Sequence, residues 1–181
     1  MRNAATLACF LVMTMAAAGQ SPRASEYEVK AAFLYNFAKF VEWPSQAFAG
    51  SSAALRICLL GRDPFGDALD SIVLDKTVAG HPIVRVQAPS PAEARACHVL
   101  FISRSEPETL KPILDRISDL PMLTVSESRD FLRLGGMINF VVEQDRVRFE
   151  INLDAAERHH LKLSSKLLAV ARVVNTGGGA N

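Results

Sequence analysis

The sequence predicts an α/β fold: a single compact domain with a mixed β-sheet, helices on both faces, and a C-terminal β-hairpin plus helix. Three observations carry this. Short, largely apolar runs at Leu55 to Gly61, Cys97 to Ser103 and Met122 to Ser126 have strand length, and such runs suit strands buried on both faces of a sheet. Stretches of helical period separate them. Beyond them, "MINFVVEQDRVRFEINL" alternates apolar and polar side chains on either side of Gln144-Asp145, which predicts a hairpin with one buried and one solvated face.

The first element is "EYEVKAAFLYNFAKFVEWP", Glu26 to Pro44. On a helical wheel, Val29, Phe40, Phe33, Phe37, Val41, Leu34, Tyr27, Ala38 and Ala31 share one arc of about 200°, with Glu28, Asn36, Lys39 and Glu42 opposite. Trp43-Pro44 ends the helix, because proline disfavours a helical residue before it. An arc wider than the usual stripe predicts contact on two sides: either the helix is wedged between the chain's own sheet and another helix, or part of the arc, with Tyr27, Phe33, Phe37 and Phe40, is reserved for a partner.

A Ser/Gly/Ala linker at 45–54 leads to the strand at Leu55. "DPFGDALDSIV" then predicts a helix with Asp63 as cap and Pro64 first. "HPIVRVQ" alternates as a strand and "PAEARA" makes one short helical turn. After the strand at Cys97 comes a helix over Pro107 to Leu120, with Leu110, Ile113, Leu114 and Ile117 on one face. In the second strand of the hairpin, Val147, Phe149, Ile151 and Leu153 face inward and Arg146, Arg148, Glu150 and Asn152 outward, with Gly135-Gly136 as a flexible lead-in. "LSSKLLAVARVV" closes with a helix capped by Ser164 or Ser165, its Leu167, Leu168, Ala171 and Val174 inward.

The chain opens on "MRNAATLACFLVMTMAAAGQ": a basic start, an apolar run, then small residues. That order predicts a cleaved secretory signal peptide over residues 1–20 and a mature protein in the periplasm. The run, about 15 residues, falls short of the roughly 20 that span a bilayer. The α/β domain then occupies 21–175, and the disordered tail, 176–181, follows within "NTGGGAN". Losing the leader removes Arg2 from 20 basic residues and none of the 19 acidic ones, so charge offers no case for nucleic acid or an anionic membrane. Cys58 and Cys97 survive cleavage. In an oxidising compartment they read as one disulfide, with two buried thiols as the alternative.

Few residues suggest chemistry. "GRDPFG" has neither dinucleotide nor P-loop spacing. The crevice at the strand carboxyl ends, lined by Arg62, Asp63, Ser103 and Arg104, is the default ligand position in this architecture. Asp67 and Asp70 lack a second acidic cluster, and "ERHHLK" is an exposed polar patch on a turn. No serine lies in a Gly-x-Ser-x-Gly turn, and no nucleophile, base and oxyanion donor can be assigned together. The reading is a non-catalytic protein without cofactor or metal.

"KAAFLYNFAKFVEWP", "ICLLGRDPFGDAL", "ACHVLFISRSE", "LTVSESRDF", "GGMINFVVEQDRVRFEINLDAAER" and "LKLSSKLLAVARVV" resemble, in the same order, the YfiR-type periplasmic proteins. The resemblance runs from about Tyr27 to Val174. It implies a periplasmic repressor that binds the periplasmic sensor domain of an inner-membrane diguanylate cyclase and lowers cyclic-di-GMP signalling. It also implies a second partner, a peptidoglycan-associated outer-membrane lipoprotein, and leaves a homodimer open. It places Cys58 and Cys97 on the family's inter-strand pair. A second pair that some members carry is missing, since "LRLGGMINF" has no cysteine. The alternatives are a small-molecule-sensing module using the strand-end crevice and, behind it, a small hydrolase.

Overall fold

The computed structural model describes residues 25–105 and 110–174. The leader, the first residues of the helix expected from Pro107, and the C-terminal tail lie outside the described residues.

The opening helix, α1 (Glu26–Lys39), starts at a capping box. The Ser25 hydroxyl accepts from the Glu28 N–H at 3.3 Å, and the Glu28 carboxylate takes the Ser25 N–H in return. It ends earlier than the wheel predicted. Val41–Glu42 (β1) leave the helix to pair antiparallel with Lys162–Leu163 (β9), and the Trp43 indole N–H donates to the carbonyl of Ala38 at 3.0 Å.

The chain continues through β2 (Leu55–Leu60), α2 (Asp67–Val73), β3 (Thr77–Val78), β4 (His81–Ala88), β5 (Val99–Ile102), α3 (Leu110–Arg116), β6 (Leu123–Ser126), β7 (Ile138–Glu143), β8 (Arg146–Asn152), α4 (Leu153–Arg158), α5 (Ser165–Leu168) and β10 (Arg172–Val174). Eight strands form a mixed sheet in the order β10-β8-β7-β6-β5-β2-β4-β3. β4, β2, β5, β6 and β7 run parallel, β8 returns antiparallel, and β10 and β3 finish the two edges. Because β4 and β5 flank β2 on opposite sides, the chain changes direction across the sheet at the carboxyl ends of β2 and β5.

Two cores cover the sheet. Leu34 and Phe37 of α1, Leu69 of α2, Phe101 and the hairpin residues Phe140 and Phe149 build the first. Ile113 and Leu114 of α3, Cys58, Cys97, Leu100 and Phe131 build the second. Helices therefore sit on both faces. The Gln144-Asp145 turn has φ of 51° and 57°, the left-handed pair that a two-residue hairpin loop needs to match strand twist.

Several boundaries differ from the sequence reading. α2 begins at Asp67, not Pro64. Asp63 instead closes a turn on the Phe65 N–H at 2.8 Å, and Gly66 holds φ 52° just ahead of the helix. Leu153 is the first residue of α4, and Asn152 is buried. Its Oδ1 caps α4 through the Ala155 N–H at 3.1 Å, and its Nδ2 donates to the carbonyl of Leu132 at 3.1 Å. The last helix is one turn, capped by Ser164, after which Arg172–Val174 pairs parallel with β8. Leu167 is buried, while Leu168, Ala171 and Val174 are only partly so. Gly136 is required by close approach: a Cβ there would lie 2.3 Å from the buried Phe131 ring. No helix among the described residues is long and apolar enough to cross a membrane.

Candidate functional site

The wide apolar arc of α1 divides into a buried and an open part. Phe37 is 0% exposed and packs against Phe149 (4.8 Å between ring centroids) and Phe140 (5.6 Å). A partner cannot reach it, so the expectation of Phe37 as a partner contact is corrected: its ring belongs to the core. Phe33 and Phe40 stay partly open. With Phe149 beneath and Leu167 and Val170 across, they line a groove of about 160 Å³ between α1 and the one-turn α5. Val170 is 68% exposed there. Phe33 also borders a second hollow of about 420 Å³ against Val142 and Val147 of the hairpin. The structure thus joins Phe33 and Phe40 and supplies Val142, Val147 and Val170, which sequence reasoning did not single out. Val170 follows a helix too short to show periodicity.

Tyr27 lies apart, half-buried against Phe65 (5.6 Å). Its hydroxyl donates to Glu127 Oε1 at 3.1 Å. Burial, and then the Glu127 charge, push its pKa up to about 12, so it remains a donor. Glu127 is the hub of a buried ionic cluster. Lys30, 0% exposed, bridges Glu26 and Glu127, and its ammonium lies 4.6 Å from the centre of the Tyr27 ring. Arg104 adds Nε contacts to Glu127, 3.1 Å to the backbone carbonyl and 3.4 Å to Oε1. Lys30 was legible in principle. At 100° per residue it falls in the middle of the apolar arc, where an ionisable group requires a buried counterion. Which residue supplies that counterion only the fold determines.

The four crevice residues each make contacts within the chain. The Arg62 N–H donates to the Ser105 hydroxyl at 2.9 Å. Asp63 pairs with Arg85, which also approaches Asp70 at 3.5 Å. Ser103 is buried, its N–H bonded to the carbonyl of Leu60 at 2.9 Å. Arg104 turns away to Glu127. These contacts tie the loops together at the direction change, and Arg104 also borders a cleft at the end of β6. Among the described residues no three His, Cys, Asp or Glu side chains are placed to hold a metal.

The histidines serve structure. His98 Nδ1 accepts the Arg56 N–H at 3.0 Å, so its Nε2 carries the proton donated to the carbonyl of Ala47, also at 3.0 Å. Phe48 stacks on His98 (4.5 Å) and on His81 (3.7 Å), which anchors the 45–54 linker. His159, expected on an exposed patch, is buried, with Nδ1 bonded to the carbonyl of Leu120 at 2.8 Å; only His160 is exposed. Burial lowers both the His98 and His159 pKa below the ordinary 6.5. The unfolded chain therefore takes up these protons first as pH falls. The stability they contribute is complete above pH 6.5 and is lost below it, toward their lower folded values. Urea midpoints should drop on acidification from neutrality, and His159→Gln should flatten that drop. An equally steep profile in the variant would exclude His159 as a source.

Cys58 of β2 and Cys97, just ahead of β5, form a disulfide with Cα atoms 5.9 Å apart. Residues 27–172, nearly all of the described chain, match the family described as YfiR/HmsC-like.

Proposed function

Since the chain belongs to the YfiR/HmsC-like family, we propose that it is a non-catalytic periplasmic regulator that docks on the periplasmic sensor domain of an inner-membrane diguanylate cyclase. The reading is carried by the groove between α1 and α5, where Phe33, Phe40 and Val170 leave apolar surface open beside a rigid aromatic core. Exposed apolar surface of this kind, set on fixed elements, suits recognition of another protein. The groove would bind the sensor's inactive state more tightly than its active state. Differential affinity alone then lowers cyclase output, without any bond-making step.

Val170→Asp tests this, because the side chain is exposed and its replacement leaves both cores intact. Binding of the purified sensor domain should weaken by about tenfold or more with an unchanged melting temperature. In cells the variant should raise cyclic-di-GMP toward the level of a deletion. Full binding by a folded Val170→Asp protein would remove the groove from the interface.

A further inference from the structure

The open side of α1 carries a repeat. Glu26, Val29, Phe33, Asn36 and the cap residue Phe40 follow one another by alternating steps of three and four residues, and each is exposed or partly exposed. That is the heptad spacing of a helix seam that meets a second helix. The same five residues wall two hollows. Glu26, Val29 and Phe33 border the one of about 420 Å³, and Phe33, Asn36 and Phe40 the one of about 160 Å³. Phe33 belongs to both, so the hollows lie end to end along α1. At 1.5 Å per residue the seam is about 21 Å long, room for about four turns of a partner helix.

The facing wall is apolar too. Val142 and Val147 of the hairpin border one hollow, and Leu167 and Val170 the other. Val142 and Val170 are 47% and 68% exposed. Phe33, between the hollows, is held 5.2 Å from Phe149 and 5.9 Å from Phe37, so the middle of the surface is fixed. The two ends differ in charge. Lys166 is the charged residue of the α5 end, exposed and without an ion pair among the described residues. At the hairpin end Glu26 and Asp145 outnumber Arg146. Between them the Asn36 side chain has no hydrogen bond among the described residues. A lone polar residue in an apolar seam selects one register, because it calls for a polar side chain opposite.

We infer that the occupant of this surface is a single amphipathic helix of the sensor domain, laid alongside α1. Its apolar residues recur at heptad spacing and fill both hollows, and a polar residue faces Asn36. An acidic residue lies near Lys166 and a basic one near Glu26 and Asp145. The inference rests on the docking reading and deepens it, from one groove to a surface with the length, period and polarity of a helix.

The test uses the full mature protein and the purified sensor domain. Val142→Asp alters only the hairpin hollow, and should weaken binding by about tenfold with an unchanged melting temperature. Arg146→benzoylphenylalanine and Lys166→benzoylphenylalanine place photo-cross-linkers on the exposed rim at the two ends. Both should cross-link to one helix of the sensor, at positions about 7 to 14 residues apart. The failures are separable. If the unaltered protein does not bind the sensor, the docking reading falls and this inference with it. If Val170→Asp weakens binding and Val142→Asp does not, the α1–α5 groove stands and the helix is overturned. Cross-links to a strand, to two separate elements or to a second copy of this chain overturn it as well.

Discussion

Lys30→Met should destabilise the protein by about 3–5 kcal/mol, the range for breaking one side of a buried ion pair. The reason lies with the partner left behind. The Glu127 side chain is 2% exposed and would be left with only the Tyr27 hydroxyl and the largely exposed Arg104 nearby. Glu26, at the surface, would simply return to water. Methionine fills most of the space of the lysine stem, so the loss would report charge rather than a cavity. Adding Glu127→Leu should recover much of it, because apolar replacement of a whole buried pair is close to neutral. Urea unfolding of the two variants decides the matter. A loss below about 1 kcal/mol for Lys30→Met would mean that water or Arg104 compensates Glu127 once Lys30 is gone. The cluster also has a positional consequence. It pins the first half of α1 to the end of β6, one side of the frame that holds Phe33 and Phe40 at the groove.

Removing the disulfide should cost about 4 kcal/mol, from the chain entropy released when a loop of this length is opened in the unfolded state. Cys58 and Cys97 are 39 residues apart in sequence and lie in the second core under α3. The cleaner probe is Cys58→Ala with Cys97→Ala, since serines would add two buried hydroxyls without assured partners. Its melting midpoint should fall well below that of the oxidised parent and match that of the parent unfolded in reductant. Midpoints that coincide with the oxidised parent would show that the bond adds no stability. Below its midpoint, the alanine pair should still bind the sensor domain, because the α1–α5 groove lies on the opposite face of the sheet.

Local pattern was enough wherever one face or both faces of an element are buried by short-range logic. β2, β5 and β6 read as continuous apolar runs because a core packs on each face of the sheet there. The hairpin showed itself by alternation and α1 by its arc. The errors share a cause. Val41–Glu42, Leu153 and Arg172–Val174 continue a helical or strand pattern in sequence, but pairing with β9, capping by Asn152 and pairing with β8 override it. These pairings bring together residues distant in the chain, and no window along the sequence contains them. Part of the candidate groove was visible as Phe33 and Phe40. Phe37 looked equivalent on the wheel, and only the hairpin packed over it decides that it is core.

By itself, then, the sequence determined the α/β class, the order of the principal elements, an amphipathic helix with more apolar surface than one contact needs, and two cysteines suited to pairing. Tertiary structure alone decided which phenylalanines remain open, that Lys30 meets Glu127, and that a groove lies between α1 and α5. The physical reason is that burial along an element follows periodicity, which is written locally, whereas charge pairing and clefts arise where separate elements end side by side.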